Sequence, residues 1–201
     1  MMMLNRSALA GAALLFGTAC AFAQAQTSRL TGTIEGMDGQ LYRVKTSKGD
    51  VKLGLADKAR IVAVEKASLN DVKKGDFVGV GAMPEPDGSQ RAVQITIFAE
   101  SQRGQNEGFR PWSRDPKGTM TNATIDTVVS EVNGKVLTVK YTGGEKKIIV
   151  PPKAAILRNS DASRDDLKTG AAIAVSRAEA KPDGSFEASR VNVGRGGYAP
   201  Q

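Results

Sequence analysis

The side chains best suited to chemistry in this sequence sit in one short stretch, Glu107-Gly-Phe109-Arg110-Pro-Trp112-Ser-Arg114-Asp115-Pro. It holds the only tryptophan of the chain, with Phe109 close by and an arginine on either side of the indole. An aromatic pair interleaved with two guanidinium groups can stack on a base, a sugar ring or a peptide side chain while the arginines bind anionic oxygens. The same residues can instead pin a connecting segment into a groove, with Phe109 and Trp112 packed inward and the arginines at the rim. Phe109, Arg110, Trp112 and Arg114 are therefore a candidate binding site, with interdomain packing as the competing reading.

Other chemistry is excluded by composition. The chain has no histidine and a single cysteine, Cys20. Without imidazole it lacks the commonest general base, the usual transition-metal ligand and the centre of a Ser-His-Asp relay. Calcium needs several convergent oxygens, and the repeated Pro-Asp-Gly-Ser turns at Asp87 and Asp183 offer one carboxylate each. No catalytic residues, no cofactor and no metal centre are expected, and the chain reads as non-enzymatic.

Residues 1–23 have the pattern of a secretory signal peptide. Arg6 is their only charge, Ala8 to Ala21 is almost wholly apolar, and Ala21-Phe22-Ala23 supplies the small-x-small cleavage pattern. The apolar run falls short of the roughly 20 residues that cross a bilayer. This predicts export to the periplasm, a mature chain starting near Gln24, no membrane span and no remaining cysteine. A lipid anchor on Cys20 is the alternative. The formal net charge is +7, and it is spread out: Arg29 to Phe98 and Thr121 to Gly194 each carry 11 basic and 9 acidic residues. A nucleic-acid binder concentrates such charge on one face, so no nucleic-acid partner is expected.

The elements that must position the aromatic-arginine cluster come in two copies. Ser68-Leu-Asn-Asp71 followed by Gly75 returns as Ser163-Arg-Asp-Asp166 followed by Gly170, and Pro86-Asp-Gly-Ser89 returns as Pro182-Asp-Gly-Ser185. The offset is 91 at Thr33-Ile34 against Thr124-Ile125, 95 through the middle and 96 near the end. Within each copy short alternating segments are separated by turn residues. In the first these are Leu30–Met37, Leu41–Val44, Val51–Leu55, Ile61–Val64, Phe77–Ala82 and Arg91–Phe98. In the second they are Ala123–Val129, Val136–Val139, Ile148–Val150, Ala155–Leu157, Ala172–Val175 and Phe186–Val193. Asp38-Gly39 and Asn133-Gly134 mark hairpins. Ser68 with Asp71, and Ser163 with Asp166, mark the N-cap of a short helix in each copy, and Gly75 and Gly170 its end.

The order strand, strand, strand, short helix, strand, strand predicts an all-β protein of two tandem small OB-like five-stranded barrels, each with one short helix. The expected organisation is a signal peptide at 1–23, a first domain at 24–98, a linker with the aromatic-arginine cluster at 99–120, a second domain at 121–194 and a flexible tail at 195–201. The pattern Gly32-Thr-Ile, Asp38-Gly, Leu69-x-x-Val72-x-x-Gly75-Asp76 and Asp87-Gly88, ending in Ile95 and Ile97, resembles the bacterial exported domains of unknown function numbered 5666. The second copy fits as Thr124-Ile125, Asn133-Gly134, Leu167-x-x-Gly170 and Asp183-Gly184, and departs at Ala171 where the first has Asp76. The resemblance covers about 29 to 194 and implies small OB-like β domains. Some proteins similar to this one carry the name metal ABC transporter permease, which implies an accessory role in metal handling; a permease needs membrane spans that this sequence does not offer. The leading expectation is a periplasmic binding or interaction module whose partner is an envelope protein or a glycan. A structural or envelope-assembly role without a small ligand is the nearest alternative.

Overall fold

The computed structural model describes residues 27–131 and 134–201; the predicted signal segment, Cys20 and Asn133 lie outside the described residues. Three strands, β1 (Thr27–Asp38), β2 (Leu41–Thr46) and β3 (Gly49–Lys66), form an antiparallel meander. A hairpin of β4 (Phe77–Pro84) and β5 (Gln90–Ile97) follows, then β6 (Gly108–Trp112), β7 (Asp115–Glu131), β8 (Gly134–Tyr141), β9 (Gly144–Val150) and β10 (Ala155–Asp161). A last hairpin, β11 (Ala172–Ala180) and β12 (Phe186–Gly194), ends the sheet. The chain is all-β, as the alternation predicts. No helix among the described residues is long and apolar enough to cross a membrane.

β12 lies parallel to β3, from Phe186 opposite Leu53 to Gly194 opposite Val64. This contact closes β1, β2, β3, β11 and β12 into a five-strand barrel. Among the other strands, β7 joins β4 to β8, and a short parallel contact of Gln90–Arg91 with Ile148–Ile149 brings β5 back to β9. Strands β4, β5, β7, β8 and β9 thus form a second ring. Each ring encloses its own buried cluster. Ile34, Val44 and Leu53 meet Ile173, Val175 and Val191 in the first. In the second, Val78, Val80 and Ile95 meet Ile125, Leu137 and Ile148.

This pairing departs from the expected arrangement of one barrel per repeat. The first ring combines β1–β3 of the first repeat with β11–β12 of the second, and the second ring combines β4–β5 of the first repeat with β7–β9 of the second. The cause lies in β3, which does not turn back but continues past an irregularity between Leu55 and Arg60 to Lys66, paired antiparallel with β10. Val62 faces Asp161, Val64 faces Asn159 and Lys66 faces Leu157. Because Val62, Val64 and Lys66 match Leu157, Asn159 and Asp161 at the offset of 95, the ladder is symmetric about the Val64–Asn159 pair. It carries the chain out of the first ring before β4 begins.

The expected short helices are single 3-10 turns, Leu69–Asp71 and Arg164–Asp166. Three residues give too few i→i+4 bonds for an α-helix, so the capping residues carry the turn. The Asp71 carboxylate accepts from the Ser68 N–H at 2.8 Å and hydroxyl at 2.7 Å. The Asp166 carboxylate accepts from the Ser163 N–H at 2.9 Å, while the Ser163 oxygen accepts from the Asp165 N–H at 3.2 Å. Val72 and Leu167, just past each turn, are buried in the second and first ring respectively. The connection after β5 is not a free linker. Gln102 is buried there, and its side-chain oxygen accepts from Asn159 Nδ2 at 3.2 Å.

Candidate anion-binding cleft between the rings

β6 folds back on β7 as a hairpin with a register break between Pro111 and Trp112. The indole of Trp112 lies on two glycines of the second ring. A Cβ at Gly81 would meet it at 2.6 Å, and one at Gly118 at 2.9 Å. These positions must stay bare for the half-buried indole to lie flat on β4 and β7. Its other side faces a cleft of about 490 Å³ whose far wall is the first ring, through Ala174, Ser176 and Asn192.

Four arginines line this cleft: Arg29 on β1, Arg110 on β6, Arg114 in the β6–β7 turn and Arg190 on β12. Arg29 sits at a register break between Ser28 and Leu30, and Arg190 follows one between Ala188 and the next paired residue. Such bulges turn a side chain out of the regular alternation. No carboxylate side chain lines the cleft or the adjoining cavity of about 640 Å³ that shares Arg29 and Arg114. Among the described residues none of the four arginines forms an ion pair. Burial and then the neighbouring Arg29 push the Arg114 pKa below the usual arginine value. Burial and then Arg60 do the same to Arg190. Both guanidinium groups stay charged at neutral pH, so the cleft holds clustered positive charge with no Asp or Glu side chain in its lining.

The hydrogen-bond partners of these arginines are main-chain and amide oxygens. Arg190 Nε donates to Asn192 Oδ1 at 3.4 Å, and Arg110 to the Asn106 carbonyl at 2.8 Å. Arg29 and Arg114 both donate to the main-chain oxygen of Gln201, the former at 3.1 Å. The predicted tail at 195–201 therefore lies folded back on the molecule. The Tyr198 N–H donates to the Arg195 carbonyl at 3.0 Å, and Pro200 is buried.

Of the residues singled out in the sequence, Arg110, Trp112 and Arg114 share the cleft, and Phe109 does not. Phe109 is 41 % exposed on the outer side of β6, with the Lys146 ammonium 4.6 Å from its ring centre. Trp112 belongs to the wall of one ring while facing the other, so the packing and binding readings describe its two sides. Sequence reasoning missed Arg29, Arg190 and Asn192. Their positions beside buried Leu30 and Val191 could be read from the sequence, but their nearness to Arg114 depends on strand partners that are distant in the chain. A scan against family models, a search of curated proteins and a search of solved structures each find no match to this chain.

Proposed function

We propose that this chain is a non-enzymatic binding module, built as two OB-like barrels and working in the periplasm, that holds an anionic group of an envelope protein or glycan in the inter-ring cleft. The observation that carries this reading is the gathering of Arg29, Arg110, Arg114 and Arg190 around one cleft with no Asp or Glu side chain in its lining. A guanidinium fork binds carboxylate or phosphate in a bidentate manner, and partial burial raises the worth of each contact. Trp112 adds an apolar floor for the carbon frame that bears the anion. The same lining disfavours a bound metal cation, because four positive groups repel it. That favours a binding role over metal handling. The structural alternative draws on one observation, the seating of the Gln201 main-chain oxygen on Arg29 and Arg114, which makes the tail an internal occupant.

Trp112 is the only tryptophan and lines the cleft, so its emission reports directly on occupancy. Titration with citrate and with pyrophosphate should give a saturable emission change that weakens as salt rises. The Arg114→Gln/Arg190→Gln protein should lose it with its circular dichroism unchanged. An emission that neither anion moves would rule out small anionic ligands and leave the structural role.

A further inference from the structure

The two rings share one strand order, and an edge that is filled on the second is open on the first. On the second ring β7 is paired on both sides: Thr119 to Asn122 have β4 on one edge and β6 on the other. The matching part of the first ring is Ser28 to Thr31 of β1, at the offset of 91. Those residues pair with β11, while β2 joins β1 only from Thr33 onward. At Gly32 the Lys45 carbonyl oxygen lies 2.3 Å from where a Cβ would stand, which closes the edge at that end. Among the described residues nothing occupies the place that β6 takes on the other ring. An unpaired strand edge is a template for a further strand.

That place is a groove of about 310 Å³ running beside the edge, floored by Leu30, Val51 and Phe186 and rimmed by Arg29 and Lys48. The molecule itself shows what such a groove accepts. On the second ring Phe109 of β6 stands opposite Thr121, the match of Leu30, and its ring lies against Lys146, the match of Val51. In the first ring the lysine is replaced by an apolar residue beside Phe186, so an aromatic side chain entering there meets apolar surface. The rim carries the remaining selectivity. Neither Arg29 nor Lys48 has an ion-pair partner among the described residues.

We infer that the open edge of β1, Ser28–Thr31, takes up an extended acidic peptide of another protein as an antiparallel strand, with an aromatic residue of the peptide opposite Leu30. Main-chain hydrogen bonds supply the pairing, as in other strand-addition complexes, and the apolar floor and basic rim select the sequence. This docking site is separate from the anion cleft; the two share only the wall formed by Arg29.

The test uses a fluorescein-labelled peptide of alternating Glu and Val around one central Phe, with fluorescence anisotropy as readout. Saturable binding is expected, together with slowed amide exchange at Thr31, whose N–H points away from β11. Methylating the peptide nitrogens that face the strand should weaken binding about tenfold or more, the loss expected for two or three backbone hydrogen bonds. Val51→Asp should weaken it comparably while leaving the pyrophosphate-induced change in Trp112 emission intact, which separates this site from the cleft and shows the variant is folded. Lys48→Glu should reduce it less. Absence of binding, or equal binding of the methylated peptide, would overturn the inference. So would binding insensitive to Val51→Asp but lost in Arg190→Gln, which would place the peptide in the cleft. Self-association abolished by Val51→Asp, seen by sedimentation without peptide, would overturn it by assigning the edge to a second copy.

Discussion

The two rings have matching strand content and opposite placement in the chain. The second is contiguous: β4 through β9 span Phe77–Val150, and its buried cluster adds only Val72 and Ile156. The first is split between Thr27–Lys66 and Ala172–Gly194, with the whole second ring inserted between the halves. Their closures differ too. β12 meets β3 over eight residue pairs, whereas β5 meets β9 over two and continues along β10 over four more. The break falls at Pro151-Pro152, between β9 and β10. Proline has no N–H to give to a ladder, so the third strand of the second ring ends and restarts where β3 runs on. One repeat sequence thus supports a self-contained ring and a discontinuous one, and the connections decide which.

The sharpest way to break this comparison is to cut the chain. A fragment of residues 68–161 contains every strand of the second ring and should fold as a monomer, giving a β-type circular dichroism spectrum and a cooperative melt. Residues 24–98, a complete repeat, should not. Their β1–β3 and β4–β5 belong to different rings, so the fragment should be unfolded or should associate in pairs, which light scattering after gel filtration distinguishes. A folded monomer from residues 24–98 would show that a single repeat closes on itself.

Single core substitutions sharpen the contrast on a smaller scale. Ile173 in the first ring and Ile95 in the second are both fully buried. Replacing a buried isoleucine by alanine costs about 2–5 kcal/mol. Ile173→Ala should destabilise the first ring and leave the melt of the 68–161 region in place, whereas Ile95→Ala should destabilise that region directly. Amide exchange read ring by ring checks this. A uniform loss of protection in both variants would mean that the rings unfold as one unit.

The smallest effect separates the two capping carboxylates. The Ser68 N–H, then its hydroxyl, holds Asp71 below the usual aspartate pKa; Asp166 is held down by the Ser163 N–H and then by Arg195. Each carboxylate favours the folded state above its unfolded-state pKa. That contribution is lost as pH falls toward the depressed folded value, so it acts in the acid range below about pH 4. Asp166→Asn and Asp71→Asn should each flatten the acid limb of the stability curve, with little change in slope above pH 6. Asp166→Asn should flatten it for the first ring and Asp71→Asn for the second, as acid unfolding followed by amide exchange would reveal.

Much of this fold is local and was legible as such. The Pro-Asp-Gly-Ser turns close through their aspartates, with Asp87 accepting from Ser89 and Asp183 from Ser185. Gly75 and Gly170 take the positive φ expected of them, 89° and 87°. Strand positions follow the alternation because one face of each is buried. Partner choice was not legible, for a physical reason. With two copies of the same pattern, β4–β5 of either repeat presents a similar apolar face to either meander, so local propensity is the same in the exchanged and unexchanged arrangements. The decision rests on the β3–β10 ladder and the short connection at 67–76, and neither has a distinct composition. The site shows the same division: Arg110, Trp112 and Arg114 are close in sequence and could be grouped, whereas Arg29 and Arg190 reach them only through the exchange.

The ladder between β3 and β10 also bears on the order of assembly. Joining Val64 to Gly194 in an open chain closes a loop of about 130 residues. If the second ring has formed and Asp161 already lies opposite Val62, the span left to close is only about 30 residues, from Asp161 to Gly194. With closure entropy growing as (3/2)RT ln n, that shortcut removes about 1 kcal/mol from the cost of completing the first ring. The ladder then acts as a splint, and the inner ring becomes the template on which the outer one closes.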